Sequence, residues 1–237
     1  MTDMAEKKQS ERIQTSILNG AEHKALVWLA ARQPAWVTSD FLTLIGTIGS
    51  VIIAAGYILS GKDINWLWLA SLGFVINWYG DSLDGNLARY RKTQRPVYGF
   101  YIDHTVDCIN EFLMFGGIGL SALMHFNLAM LLFVFYLLLT LNVITNAHLK
   151  GEFKLTYAKL GPTEFRLIVI IVNTCFILFK PLRDFTAHVD LFGCGVELKA
   201  LDVVGTVILA ILAVIYFTTI ISDARGYAKA DPLKKNK

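Results

Sequence analysis

Four aspartates lie at the facing ends of two neighbouring apolar segments, where burying a carboxylate costs free energy. Asp81 and Asp84 are three residues apart near the end of one segment, and Asp103 and Asp107 are four residues apart near the start of the next. Residues at these spacings share one face of a helix. Only a short basic loop joins the two segments, so the two pairs are predicted to face each other at the same depth of adjacent helices.

Converging carboxylates form a ligand set made only of oxygen atoms. Hard divalent ions such as Mg²⁺ and Mn²⁺ prefer such a set, whereas Zn²⁺ and Cu²⁺ favour histidine or cysteine ligands. Four acids exceed what one Mg²⁺ needs, because Mg²⁺ usually keeps several waters and binds substrate phosphate oxygens. The sequence therefore predicts a site for Mg²⁺ or Mn²⁺ that holds two ions close together.

Small residues and an arginine accompany the acids. Gly85 and Ala88 follow the first aspartate pair, Arg89 closes that segment, and Gly99 begins the next one. Glycine inside a helix costs up to about 1 kcal/mol relative to alanine, a cost that close approach of a flat ligand justifies. The arginine fork suits phosphate oxygens. Together these residues predict a nucleotide-diphosphate site, although helix packing alone explains Gly85 and Ala88, and membrane-side anchoring alone explains Arg89.

The composition places these residues in a membrane protein. Of the 237 residues, 54% are hydrophobic and 17% are charged, compared with about 25% charged residues in soluble domains. This balance excludes a disordered chain and a basic nucleic-acid-binding protein, so no nucleic-acid partner is expected. Six segments are long enough, or nearly so, for the roughly 20 helical residues that cross a bilayer. We therefore expect an all-α, polytopic membrane protein with six transmembrane helices near 41–60, 65–90, 99–125, 127–149, 163–181 and 200–222.

The basic residues predict which way these helices point. Most of the 22 Lys and Arg residues fall in the termini and loops that six spans place on one side. The other side receives Lys62, Lys180, Arg183 and Lys199. The positive-inside rule then predicts that both termini and the aspartates face the cytoplasm, in the cell inner membrane or an equivalent membrane.

The regions outside the apolar segments complete the predicted organisation. Apolar residues recur at helical spacing within 10–33, which predicts an amphipathic surface helix. That helix either lies in the membrane interface or packs on the cytoplasmic face of the protein itself. We expect a cytoplasmic tail and surface helix at 1–33, a six-helix catalytic domain at 34–224 and a basic cytoplasmic tail at 225–237.

The aspartates and their neighbours complete one pattern, D-x-x-D-G-x-x-A-R, nine residues, then G-x-x-x-D-x-x-x-D. Its positions are Asp81, Asp84, Gly85, Ala88, Arg89, Gly99, Asp103 and Asp107. This pattern resembles that of the CDP-alcohol phosphotransferase (CDP-alcohol phosphatidyltransferase) family of integral membrane enzymes. Upstream, VTSDFLTLIG is similar to the Thr-Pro-Asn-x-Leu-Thr opening of that family, although Ser39 replaces its proline and Asp40 its asparagine.

The resemblance implies a role for each matched residue. The divalent ions would be held by the four carboxylates, Asp81, Asp84, Asp103 and Asp107. Asp107 would also be the catalytic base. The cytidine nucleotide would be bound by the first two aspartates together with Gly85, Ala88, Arg89, Gly99 and, by its position, Asp40. The family also implies a homodimer.

Two shorter features resemble choline and ethanolamine phosphotransferases. His104 follows Asp103, and the fifth predicted helix opens with Gly161-Pro162-Thr163-Glu164. His104 either assists catalysis, by orienting a metal ligand or taking a proton, or is satisfied against a neighbouring helix. Glu164 and Arg166 would contact the headgroup or acceptor alcohol, although capping of that helix also explains Glu164.

The resemblance implies an enzyme of phospholipid synthesis. It would transfer a substituted phosphate group from a CDP-linked donor to an acceptor hydroxyl and release CMP. The donor is either CDP-diacylglycerol with a polar alcohol as acceptor, or CDP-choline or CDP-ethanolamine with a lipid alcohol. Two other classes compete: an intramembrane cation transporter that uses the aspartates, and a non-catalytic lipid-binding protein. A transporter predicts acids near the midplane, and a lipid-binding protein needs no metal site.

Overall fold

The structure, a computed structural model, describes residues 12–13, 18–150, 153–154, 161–191 and 194–232. Within these ranges the chain is mostly helical, as predicted. The helices are α1 Asn19–Ala31, α2 Ser39–Leu59, α3 Leu67–Arg91, α4 Pro96–Gly119, α5 Phe126–Lys150, α6 Pro162–Leu178, α7 Lys180–Arg183 and α8 Ala200–Ala230. A 3-10 turn, Ile64–Trp66, precedes α3. Short strands β1 Arg12–Ile13 and β2 Phe153–Lys154 pair in parallel, and β3 Thr186–Leu191 pairs with β4 Cys194–Lys199 in an antiparallel hairpin.

Three of these helices are long and apolar enough to cross a membrane. They are Ser39–Leu59, Phe126–Leu149 and Ala200–Ala230, with mean hydropathy of 2.1, 2.4 and 2.5 over their most apolar windows. The other long helices, α3, α4 and α6, also coincide with predicted apolar segments. However, α3 and α4 carry the clustered charges, and α6 has only 17 residues. The three long apolar helices indicate a membrane protein. The number of membrane-spanning helices, six, stays a prediction.

The hairpin of β3 and β4 lies where a loop was expected between two helices. Its register pairs Thr186 with Lys199 and continues to Leu191 with Cys194. Polar and apolar residues alternate along Ala187–Leu191, as they do in a strand with one exposed face. This alternation covers only five residues beside long apolar segments, which is why the sequence analysis predicted helices and no strands.

Helices α2 and α3 pack with their backbones in contact. A Cβ atom added to Gly80 would lie 2.3 Å from the backbone nitrogen of Gly46, and one added to Gly49 would lie 2.5 Å from that of Asn77. Only glycine allows two helices to approach so closely. Because Asp81 follows Gly80 directly, this contact determines where the first aspartate stands relative to α2.

Helix α4 also packs against α2, and two adjacent glycines test that contact. A Cβ atom on Gly117 would lie 2.5 Å from the Cα atom of Ala54, whereas one on Gly116 would meet nothing within 4 Å. We expect Gly117→Ala to lower the free energy of unfolding by about 1–3 kcal/mol through overpacking. Gly116→Ala should leave it unchanged or raise it by up to about 1 kcal/mol. Thermal unfolding in detergent measures both; equal effects would contradict this packing.

Helix α1 packs on the body of the protein at the end that carries the aspartates. Leu26 and Ala30 are buried in a small core with residues of α2 and α3 such as Leu42 and Leu83. Glu22 accepts hydrogen bonds from the indole of Trp78 at 2.9 Å and from the hydroxyl of Thr163 at 2.5 Å. The described part of the predicted surface helix begins at Asn19. The prediction was wrong at Arg12 and Ile13, which form β1 because they pair with β2, and residues 10–11 and 14–17 lie outside the described residues.

Helix α6 is tied to α2 and α3 by buried polar contacts. Tyr57 donates to the side-chain oxygen of Asn173 at 3.0 Å, and the amide of Asn173 donates to the hydroxyl of Ser71 at 3.3 Å. Arg166 lies seven residues before Asn173 and therefore shares its face of α6. These contacts direct Arg166 toward α3.

Candidate active site

Three of the predicted carboxylates converge between α3 and α4. One oxygen each from Asp81, Asp103 and Asp107 lie within 4.8 Å of one another, and all three residues are half-buried. Oxygens on opposite sides of a Mg²⁺ ion are about 4.2 Å apart, since each lies about 2.1 Å from the metal. The three carboxylates are thus spaced to share a small divalent ion, and the ligand set holds only oxygen.

Asp84 stands beside this group and is held by α2. One carboxylate oxygen accepts a hydrogen bond from Thr43 at 2.6 Å, and the other accepts one from the backbone amide of Gly85. Ser39 donates to the backbone carbonyl of Asp84 at 2.7 Å. The four predicted acids therefore divide into three that converge and one that is anchored to the first two turns of α2.

Arg166 enters the site from α6. Its Nη2 donates to Oδ2 of Asp81 at 2.5 Å, and its Nε donates to Oδ1 of Asn77 at 3.0 Å. The side chains of Arg166 and Asp81 are only 14% and 25% exposed, so this charge-assisted bond is partly shielded from water. The residue predicted to contact the acceptor thus binds a predicted metal ligand and offsets part of the clustered negative charge.

Glu164 joins two segments of backbone at the start of α6. It is 7% exposed, and its carboxylate accepts hydrogen bonds from the backbone amides of Leu18 at 2.8 Å and Gly161 at 3.0 Å. Gly161 is the residue that caps α6. This is the capping arrangement that the sequence left open, extended to the segment before α1.

The small residues of the pattern border open space. A Cβ atom on Gly85 would meet only the guanidinium of Arg89, at 3.5 Å, and one on Gly99 would meet nothing within 4 Å. Ala88 is half-buried and Arg89 is exposed. Among the described residues, therefore, neither glycine is required for helix packing as Gly80 is, and a ligand has room beside Arg89.

Asp40 lies at the rim of the site, where α2 and α4 begin. Tyr98 donates to its carboxylate at 3.3 Å, and the guanidinium of Arg95 lies 3.9 Å from the same oxygen. Arg95 also covers the ring of Tyr98, 3.7 Å from its centroid. Both charged side chains are more than half exposed, so this pair adds little stability and leaves Asp40 apart from the converging carboxylates.

His104 is fixed on α4 next to Asp103. Its Nδ1 lies 2.9 Å from the backbone carbonyl of Phe100 and 3.6 Å from the carboxylate of Asp103. Its ring also packs on Phe100, with 4.1 Å between the ring centroids. A carbonyl oxygen only accepts hydrogen bonds, so Nδ1 carries the hydrogen in this arrangement.

Replacing His104 tests whether it supports catalysis. We expect His104→Ala to lower the rate of product release about tenfold, as loss of a group that orients a metal ligand does. His188→Ala, an exposed histidine on β3, serves as the control and should keep the full rate. Turnover by His104→Ala that equals the control would show that the ring only packs on α4.

The structure adds residues to the site that the sequence analysis did not include. Glu111 continues the face of Asp103 and Asp107 by one turn, and its Oε2 is buried without a hydrogen-bond partner in the part of the chain described here. Glu111 follows Asp107 by four residues, so the sequence already indicated that it shares their face of the helix. Thr43 lies in the segment VTSDFLTLIG quoted above, but its bond to Asp84 was not predicted. Asn77 belongs to no chemical pattern, and only the packing of α2, α3 and α6 reveals it.

Comparison with known proteins decides the family. Residues 36–221 match the sequence model of the CDP-alcohol phosphatidyltransferases, a range that contains the whole aspartate pattern. The chain belongs to the CDP-alcohol phosphatidyltransferase family. The resemblance predicted from the motif is thereby confirmed.

Among curated CDP-alcohol phosphatidyltransferase relatives, the phosphatidylinositol phosphate synthase of Cutibacterium acnes is 33% identical over 106 residues. The match covers 42% of this chain and 49% of that relative, so the chain matches about half the length of the relative. Enzymes of this family use a CDP-linked donor, an alcohol acceptor and divalent metal ions. The converging aspartates of this chain offer such ions an oxygen-only site.

Proposed function

We propose that this protein transfers a substituted phosphate group from a CDP-linked donor to an acceptor hydroxyl and releases CMP, with two divalent ions. The observation that carries the proposal is the convergence of Asp81, Asp103 and Asp107 within 4.8 Å. These three residues lie on the two helices that also carry the rest of the family pattern.

The aspartates supply the metal ligands in this proposal. Asp81, Asp103 and Asp107 hold Mg²⁺ or Mn²⁺, and Asp84 contributes from its position against Thr43. Bound there, the ions offset the charge that develops on the phosphoryl oxygens and on the departing CMP.

The nucleotide lies on the open side of α3 and α4. Gly85, Ala88 and Gly99 leave room for the cytidine and ribose, and Arg89 contacts the diphosphate. The proximity of the Arg89 guanidinium to Gly85 supports this arrangement, because the cation and the open space belong to one surface. Asp40 contributes from the rim.

Asp107 acts as the base in this proposal. A neutral alcohol is a poor nucleophile, so a carboxylate within hydrogen-bonding distance must accept its proton as the new oxygen–phosphorus bond forms. The acceptor oxygen attacks the β-phosphorus, the bond from that phosphorus to the CMP oxygen breaks, and CMP leaves with the electron pair. Asp107 lies one turn further along α4 than Asp103, on the face that the converging carboxylates share.

We place the site at the cytoplasmic face of a six-helix catalytic domain, 34–224, in the cell inner membrane or its equivalent. Each of α2, α3, α4, α5, α6 and α8 crosses the bilayer, so an even number of spans returns both termini, 1–33 and 225–237, to the cytoplasm. Two copies form a homodimer. Cysteines introduced singly at Asp231 and His188 should react with impermeant reagents from opposite sides of sealed vesicles; reaction from one side would exclude this topology.

The relative favours one of the two donor classes. A phosphatidylinositol phosphate synthase forms a phosphatidyl product, and a phosphatidyl group comes from CDP-diacylglycerol. We therefore propose CDP-diacylglycerol as the donor and a polar alcohol as the acceptor, with a phosphorylated polyol as the first candidate. Because His104 and the segment Gly161–Glu164 resemble choline and ethanolamine phosphotransferases, CDP-choline and CDP-ethanolamine are also tested as donors.

Purified protein with Mg²⁺ and a panel of substrates tests this function. The donors are CDP-diacylglycerol, CDP-choline and CDP-ethanolamine, and the acceptors are inositol phosphate, glycerol phosphate, inositol, serine and diacylglycerol. We expect CMP release that requires both partners, with a new lipid of the corresponding mass. CMP release that ignores the acceptor would indicate a hydrolase, and none with any pair would contradict the transferase.

A further inference from the structure

We propose that Asn77 is a positioning residue of the metal site, which fixes Arg166 and through it the carboxylate of Asp81. The inference rests on the proposed function in one respect, namely that Asp81 holds a divalent ion. Asn77 lies outside the family pattern and one helical turn before Asp81 on the same face of α3.

The side chain of Asn77 has one orientation that satisfies its neighbours. It is 1% exposed, and its Nδ2 donates to the carbonyl of Gly46 and to the hydroxyl of Ser50, both at 3.1 Å. Its Oδ1 accepts from Nε of Arg166 at 3.0 Å. A rotated amide would turn its hydrogens toward the guanidinium and its oxygen toward a carbonyl, so the arrangement cannot be reversed.

The backbone around Asn77 leaves little freedom to shift. A Cβ atom on Gly49 would lie 2.5 Å from the Asn77 nitrogen and 2.9 Å from the carbonyl oxygen of Gly73, so α2 and α3 are in direct contact here. Packed interiors are not easily deformed. The oxygen that Asn77 offers to Arg166 is therefore held at a fixed point on α3.

Arg166 bridges two successive turns of α3. Nε is bound to Asn77 at 3.0 Å and Nη2 to Asp81 at 2.5 Å, so both the position and the plane of the guanidinium are determined. The carboxylate of Asp81 is then oriented before a metal ion binds. Groups that orient metal ligands from behind typically contribute 10–100-fold to metal affinity, and Asn77 does so without changing the charge of the site.

Binding of Mn²⁺ to the purified full chain, without substrates, tests the inference. The electron paramagnetic resonance signal of free Mn²⁺ measures the dissociation constant. We expect Asn77→Leu, which keeps the branched shape of the side chain in a larger volume and removes the amide oxygen, to raise that constant about tenfold or more. The control Ser50→Ala removes a partner of Asn77 on the far side from Arg166, and should change the constant less than twofold.

A double-variant comparison separates positioning from a structural role. Because Asn77 acts through Arg166, adding Asn77→Leu to Arg166→Gln should change Mn²⁺ affinity less than twofold. If the two single effects multiply, or if folded Asn77→Leu binds Mn²⁺ as the wild type does, the inference is wrong. Should Asn77→Leu not fold, Asn77→Ser, whose shorter side chain cannot reach Arg166, must show the same loss of affinity.

The same measurements distinguish failure of this inference from failure of the proposed function. Mn²⁺ binding that depends on Asn77, in a protein that releases no CMP from any donor, would support the positioning role and contradict the transferase. CMP release in a protein whose Asn77→Leu variant keeps its Mn²⁺ affinity would contradict only the positioning role. A wild-type protein that does not bind Mn²⁺ would overturn both.

Discussion

Asp107→Asn is expected to lower the rate of CMP release at least about 1,000-fold while the protein stays folded. A general base alone contributes about 10²- to 10⁴-fold, and asparagine also replaces an anionic metal ligand by a neutral one. Asp84→Asn is expected to abolish transfer as well, because the amide cannot supply the negative charge that Asp84 adds beside the converging carboxylates. CMP release, followed at saturating Mg²⁺, measures both variants.

The stability of Asp107→Asn should not fall together with its rate of CMP release. Asp107 lies among the like charges of Asp81, Asp103 and Glu111, and like charges confined to a poorly solvated site repel one another. Neutralising Asp107 removes part of that repulsion. Its Tm in EDTA should therefore equal or exceed that of the wild type, which a residue kept for folding would not show.

An acid elsewhere in the chain provides the matched control. Asp184 is exposed and lies 3.9 Å from Lys180, so Asp184→Asn should change neither the rate nor the Tm. Release of CMP by Asp107→Asn at nearly the wild-type rate would remove Asp107 from the mechanism. A large loss of Tm in that variant would instead identify its carboxylate as structural.

The positions of the long helices could be predicted from the apolar segments, because an apolar stretch of about 20 residues is typical of a membrane-spanning helix. The helix expected at 41–60 is observed at Ser39–Leu59. The observed ends of two helices differ from the predicted ones because local hydrogen bonds and charged residues determine them. Helix α4 ends at Gly119 because Ser121 turns the chain, donating to the carbonyl of Ile118 and accepting from the amide of Leu123. Helix α8 continues to Ala230, beyond the apolar segment, since charged residues also form helix.

The convergence of three aspartates was also accessible from sequence, because helical spacing determines which side chains share a face. The contact of Arg166 with Asp81 was not, since it joins residues 85 positions apart and depends on how α6 packs. Glu164 shows the same limit: its bond to Leu18 spans 146 positions. Both contacts depend on how α6 packs against the rest of the protein, which no residue pattern specifies.

Removal of divalent ions is expected to stop transfer completely and reversibly. The converging carboxylates repel one another, and the bond from Arg166 to Asp81 offsets only part of their charge. EDTA should abolish CMP release, and Mg²⁺ or Mn²⁺ should restore it. Because the unfolded chain does not assemble this site, ions at about 100 times their Kd should also stabilise the folded state by about 2.7 kcal/mol, which a rise in Tm measures.

Asp103→Asn separates this effect from general effects of salt. We expect the variant to fold and to lose one of the three converging ligands, so Mg²⁺ should raise its Tm less than that of the wild type. Asp184→Asn, with its exposed carboxylate outside the site, should keep the full rise. Equal rises in all three proteins would assign the stabilisation to ionic strength, and CMP release that persists in EDTA would exclude the aspartates as metal ligands in catalysis. A rise in Tm seen only in the proteins that keep Asp103 would show that the ion binds the carboxylates that the helical spacing brings together.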